Sequence, residues 1–246
     1  MSATPAGTVS ATPAGTVSVA PAAIVDGREG DGGRLRPARG SPDLARSNPM
    51  HPFAHFLLDG FQQVATDTWA NDERIVIQPV FFNLVPDLPA SLTDLPALHK
   101  GLAGMAAAQG GALIEADVVS VGGQPALRQI VKVKLPNQPH GQAFLGSYIV
   151  PKAACSAVLR VQAAESGPTG QREALVMSQV GPTNYFRPHP YGPEGEGGLP
   201  SHVADDPAYD PQFPQHPLSR VRQVMAQLAR QVELHPDFAA LPAFTR

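Results

Sequence analysis

Eight histidines, 21 carboxylates and a single cysteine are the side chains of this 246-residue chain with the reach to do chemistry. His51 and His55 stand four apart, the spacing of a metal-ligand pair on one helix face. No glutamate lies between them in the H-E-x-x-H manner, and Pro52 interrupts the helix such a pair needs. They read as part of an amphipathic entry segment. A second constellation is His189, His202, Asp205, Asp206, Asp210 and His216. Imidazoles and carboxylates together suit a divalent ion, but these six are irregularly spaced among prolines, so a solvated acidic loop competes with a metal-dependent site.

Within that constellation the run AYDPQFPQHPLSR has the make-up of a docking sequence. Tyr209 and Phe213 can fill pockets, and proline restricts the backbone, so less entropy is lost on binding. Tyr209, Asp210, Phe213, His216 and Arg220 form the candidate partner-binding set. The rings have two possible hosts, the protein's own sheet or a protein or peptide partner. Cys155 sits among Ala153, Ala154 and Ala157 and reads as a small buried hydrophobe. Glu165, Arg172 and Glu173 flank a strand-to-helix corner, as a surface ion pair or a polar site. Gly195-Glu196-Gly197-Gly198 lies between prolines and cannot cradle phosphate as a strand-to-helix turn does. There is no G-x-S-x-G, no Walker loop and no G-x-G-x-x-G. The sequence assigns no catalytic, cofactor-binding or metal-ligating residue.

The elements that must carry these residues centre on 112–178. Gly122-Gly123 signals a hairpin. In 126–135, Leu127, Val131, Val133 and Leu135 share one face, with Arg128, Lys132 and Lys134 on the other. That alternation predicts a strand packed on one side and partly wet on the other. Strands at 142–150 and 156–164 complete a four-strand meander, and a helix follows at about 170–179, with Leu175 and Val176 on its apolar side. Upstream, 64–83 reads as a hairpin about Ala70–Glu73, with Pro79 demanding an edge or a bulge. Thr93 or Asp94 caps a helix to about Gln109 whose stripe is Leu95, Leu98, Leu102 and Met105.

Residues 181–217 hold nine prolines interleaved with aromatic rings. The expectation is an extended arm without helix, pinned to a surface by those rings. A last helix, capped by Ser219, carries the stripe Val221, Val224, Met225, Leu228 and Val232, with Arg220 and Arg222 outside it. Residues 1–49 carry the unit SATPAGTV twice and a Gly/Arg/Asp stretch. With too few large apolar side chains to offset ordering, they read as a disordered tail, and Met50 opens the first apolar run as a second candidate start. The expected architecture is α+β: an antiparallel meander sheet flanked by helices, like an α/β/α sandwich. Its divisions are a 1–49 tail, a 50–180 core, a 181–217 arm and a 218–246 helical end that packs on the core.

A net charge of −3 and the absence of basic runs do not indicate capture of nucleic acid or of an anionic membrane. Without a charged start, an apolar signal core or a span-length apolar run, the chain reads as cytoplasmic. The order hairpin, helix, meander, helix, with the hairpin in VVSVGGQPALRQIVKV and the strand Gly146-Ser147-Tyr148, resembles the PsbP/Mog1/DcrB-like superfamily over about residues 53–180. That resemblance implies an antiparallel sheet between helices, on a scaffold used mostly for binding and assembly, and it brings no catalytic residues. Three functions follow in order: a non-catalytic binding, adaptor or chaperone-like domain, a small-molecule or lipid carrier with a sheet–helix cavity, and a metal-dependent enzyme using the arm's His and Asp residues.

Overall fold

The computed structural model describes residues 52–245 apart from 57, 136–137 and 193–197. The tail expected at 1–49, His51, and Gly195–Gly197 of the glycine-rich run lie outside the described residues.

Chain order gives β1 (Phe53–His55), β2 (Gln62–Ala65), β3 (Thr68–Ala70), β4 (Val76–Phe82), α1 (Leu95–Ala108), β5 (Ala112–Val121), β6 (Gln124–Lys134), β7 (Gln142–Pro151), β8 (Ser156–Ala164), α2 (Gln171–Val180), α3 (Pro182–Tyr185), α4 (Pro217–Gln231), β9 (Glu233–Leu234) and α5 (Pro236–Ala239). Seven strands form one antiparallel sheet in the order β2-β3-β4-β8-β7-β6-β5, and β1 pairs with β9 in a separate two-stranded ribbon. The meander β5–β8 is contiguous in sequence and in space. Its first turn needs glycine twice, because Gly122 and Gly123 both have positive φ, 54° and 76°. The β3–β4 hairpin closes through Asn71, whose Oδ1 accepts the Ile75 N–H at 2.9 Å. Pro79 falls where β3 no longer reaches, since β3 meets β4 only at Val76 and Ile77. Its missing N–H is therefore harmless, as an edge position requires.

Helices cover both faces of the sheet. On one side α1 packs Leu98, Leu102, Ala103 and Ala106 against Leu113, Leu127 and Val131. Asp94 caps it, accepting from Ala97 N–H at 3.2 Å. Leu95 and Met105, expected in the stripe, lie toward its edge, and Leu95 is exposed. On the other side α4 lays Leu218, Val221, Val224, Met225 and Leu228 on Ile130, Phe144, Tyr148 and Val161. Gly146 makes this approach possible: a Cβ there would come within 2.2 Å of Met225 Sδ. Tyr148 Oη donates to Met225 O at 2.9 Å, which fixes the helix along its axis.

Further expectations change. Leu175, expected on the apolar side of α2, is exposed, and Arg172 is buried with Val176 in its place. The strand face carrying Arg128, Lys132 and Lys134 is wet only at its end: Lys134 is exposed and Arg128 half-buried, but α4 and the arm cover Lys132, which is only 1% exposed. Period-2 alternation marks two faces but cannot tell solvent from a polar interior. The arm is not uniformly extended: α3 and the 3₁₀ turns Val203–Asp205 and Pro207–Gln212 run through it. Pro182, Pro207 and Pro217 each stand at the start of one of these elements, where a missing N–H costs nothing. Last, α4 begins before Ser219. His216 is its cap, with Nδ1 accepting the Leu218 N–H at 3.2 Å.

Candidate functional site

Three cations rise from the sheet, α2 and α4 to meet the underside of the arm. Lys132 of β6 donates to Asp205 Oδ2 at 2.7 Å and to His202 Nε2 at 3.1 Å. Arg172, in the first turn of α2, is fully buried. It donates to the carbonyls of Ala204 (2.7 Å) and Asp206 (3.0 Å), and to Asp210 Oδ1 and Ser219 Oγ, both at 2.8 Å. Arg222 of α4 reaches Asp210 Oδ1 at 2.8 Å and also pairs with Glu115 of β5. Glu115 in turn holds Arg128 at 2.7 Å. A guanidinium presents a fixed fork of donors, so Arg172 and Arg222 fix backbone carbonyls and one carboxylate together. The arm is thereby docked on its own sheet, with Tyr185 stacked on His202 at 5.0 Å between centroids.

Lys132 donates to Nε2 of His202, so that ring is neutral and carries its proton on Nδ1. Burial pushes the His202 pKa down to about 4, and Lys132 and Arg172 add to this against the opposing pull of Asp205. Burial raises the Tyr185 phenol, reinforced by Glu173 and Asp205.

Beside this network lies a smaller cluster of Glu165, Glu173 and His216. His216 Nε2 is 3.7 Å from Glu165 Oε1 and 4.0 Å from Glu173 Oε1, and its ring meets Phe144 edge-on at 5.2 Å. The Glu165 oxygens accept the N–H groups of Gln142 and Gly170, each at 2.8 Å. Burial alone would raise its pKa, but His216 and these two donors outweigh that and lower it. Burial raises Glu173, helped by the neighbouring Glu165 and Asp205. Among the described residues, Glu173 Oε2, His216 Nε2, Tyr185 Oη, His202 Nδ1 and Gln142 Oε1 are buried polar atoms without a hydrogen bond. Native interiors rarely leave so many such groups in one region.

A cavity of about 520 Å³ opens on this cluster, lined among others by Glu73, Glu165, Arg172, Phe213, His216 and Arg220. A second recess of about 460 Å³ lies on the other side of the β8 end, against Val64, Val76, Leu145 and Gln162. Both share Ala163, Ala164, Glu165 and Ser166 as a common wall. No family model, curated protein or solved structure matches the chain.

Of the five residues picked out as partner-binding, Phe213, His216 and Arg220 line the first cavity. Asp210 is taken up by Arg172, Arg222 and Ser219. Tyr209 packs at the edge of a small cluster with Val176, Tyr185 and Val203. His189 lies apart from that group, ring against Tyr191. The corner Glu165, Arg172, Glu173 is a polar site and not a surface pair: Arg172 joins Asp210, and the two glutamates face His216. The sequence marks Lys132 and Arg222 only as outward positions and Glu115 not at all, because a charged residue at a strand or helix position that alternates outward carries no mark of burial. Cys155 is buried as expected, and burial raises its thiol pKa. Its neighbour Lys152 caps the C-terminal turn, donating to Gln124 Oε1 (2.7 Å), Ala239 O (2.8 Å) and Leu241 O (3.2 Å).

Proposed function

We propose that the chain is a non-catalytic binding domain that holds an extended peptide segment of a partner protein across the end of β8. The observation that carries this reading is the pair of recesses sharing the Ala163–Ser166 wall. A segment crossing that wall places one side chain against Phe213 and Arg220 and another, apolar, against Val64 and Leu145. Val64 is 57% exposed, an apolar side chain with no cover of its own. The wall is the end of a central strand, so the site is rigid before binding and little ordering entropy is lost on the protein side. The superfamily resemblance, with its binding and assembly scaffolds, points the same way. The sheet–helix space that a carrier would use is filled where α4 crosses Gly146.

The test is selection of displayed random peptides on the full chain, followed by titration of the selected peptides. Val64→Asp and Arg220→Ala should each weaken binding about tenfold, the loss of one contact worth ~1.4 kcal/mol. Failure to select any peptide, or selected peptides indifferent to both changes, overturns the reading.

A further inference from the structure

We infer that Glu165, Glu173 and His216 form a binding site for one divalent transition-metal ion of the zinc or manganese class. Three ligand atoms, one from each residue, lie within 4.8 Å of one another. Metal–ligand bonds of about 2.0–2.2 Å place ligand atoms roughly 3–4 Å apart. The 3.7 and 4.0 Å separations of His216 Nε2 from the two carboxylates match that spacing and are too long for direct hydrogen bonds. One imidazole with two carboxylates favours a borderline ion over calcium or magnesium, which prefer all-oxygen shells.

Two further observations support a ligand here. His216 Nε2, on a side chain 9% exposed, is buried without a hydrogen bond, and so is Glu173 Oε2. Both orphaned atoms belong to the cluster, and Gln142, whose Oε1 is also orphaned, donates its backbone N–H to Glu165. The ligand positions are also braced. Glu165 is oriented by two backbone N–H groups, which leaves lone pairs on both oxygens for an ion. Phe144 packs on the imidazole. The 520 Å³ cavity that Glu165 and His216 line gives an entry path.

The ring has a second duty that a metal must contend with. Its Nδ1 accepts the Leu218 N–H, so in the metal-free protein the neutral ring carries its proton on Nε2. Ligation through Nε2 moves that proton to Nδ1 and releases the Leu218 N–H. The released bond is long, 3.2 Å, and the backbone bond from Arg220 N–H to His216 O at 3.0 Å is untouched, so α4 keeps its first turn. The ion therefore exchanges one cap bond for three ligand bonds.

The inference does not rest on the peptide reading, and its probe is the metal alone. Tag-free full-length protein is stripped with chelator and dialysed against Zn²⁺ or Mn²⁺, and bound metal is counted by mass spectrometry. One equivalent is expected. His216→Asn keeps an N-cap acceptor but removes the imidazole, and Glu173→Gln keeps the shape but removes the charge. Each should weaken binding by at least about 100-fold, as loss of a ligand exceeds the 10–100-fold typical of losing a group that only orients a ligand. His235→Asn, at the exposed pair with Asp237, should leave affinity unchanged. Circular dichroism verifies that the variants fold, and if His216→Asn does not, Glu173→Gln decides. No stoichiometric ion in the parent protein, or full affinity in Glu173→Gln, overturns the site.

Discussion

Replacing Arg172 by methionine strands two carbonyls and takes one of two cations from Asp210. Breaking a buried pair from one side costs about 3–5 kcal/mol. Arg222 still holds Asp210, so we expect a loss of about 3 kcal/mol in urea unfolding. Adding Asp210→Leu to Arg172→Met should cost less than the two single losses combined, because the carboxylate left behind is part of the penalty. His202 gives a prediction in pH. Its folded pKa, about 4, lies below the unfolded value of 6.5, so between these the unfolded chain binds the extra proton. Its contribution is complete above pH 6.5 and is lost as pH falls toward 4, by about 2–3 kcal/mol. Glu173, raised by burial, works in the opposite sense. The quantity to measure is therefore the difference between the parent and His202→Gln in unfolding midpoints at pH 7.5 and 4.5. A difference that does not change with pH would refute the assignment of the neutral ring.

The contact of α4 with β7 turns on one hydrogen atom at Gly146. Gly146→Ala drives a methyl into Met225 and Val221 and should cost about 1–3 kcal/mol, the usual penalty of overpacking. Adding Met225→Ala opens the space and should recover part of it, a coupling that thermal or urea unfolding of the four proteins will reveal. Elements of this kind differ in how plainly they can be read. The meander was legible because Gly122-Gly123, Leu127/Val131/Val133 and Leu159/Val161 carry local signals of turn and period. The α4 stripe was legible for the same reason. Its start was not: Ser219 has the better capping chemistry, yet Arg172 and Asp210 claim its hydroxyl, and His216 caps instead. Proline density alone predicts an extended arm, but Pro182, Pro207 and Pro217 stand at helix starts, where a missing N–H is tolerated. The cluster Glu165, Glu173, His216 joins a corner and an arm 43 or more residues apart, and no spacing rule brings them together.

At the scale of the whole molecule, the core on one face of the sheet is shared with residues beyond 180. Leu218, Val221, Val224, Met225, Leu228 and Val232 are buried in one cluster with the sheet. Burying side chains of this size is worth roughly 1.5–3 kcal/mol each, together on the order of 10 kcal/mol. That rivals the entire net stability of a domain, about 5–15 kcal/mol. A chain ended at residue 180 should therefore be molten or insoluble, with weak near-ultraviolet circular dichroism and strong dye binding. A sharp thermal transition in that truncation would sink this view of the arm. The β1–β9 pairing of Phe53 with Leu234 sets the same dependence at the other end. The position of α4 also has a consequence in time. The sheet is complete in sequence at Ala164, but the helix that covers its face ends at Gln231. At about 5–20 residues per second, synthesis of the intervening chain takes roughly 3–13 s. Through that interval the nascent protein presents Phe144, Tyr148 and Val161 on an uncovered face, so a ribosome-associated holdase should crosslink to chains arrested near residue 200 and release those extended beyond the end of α4.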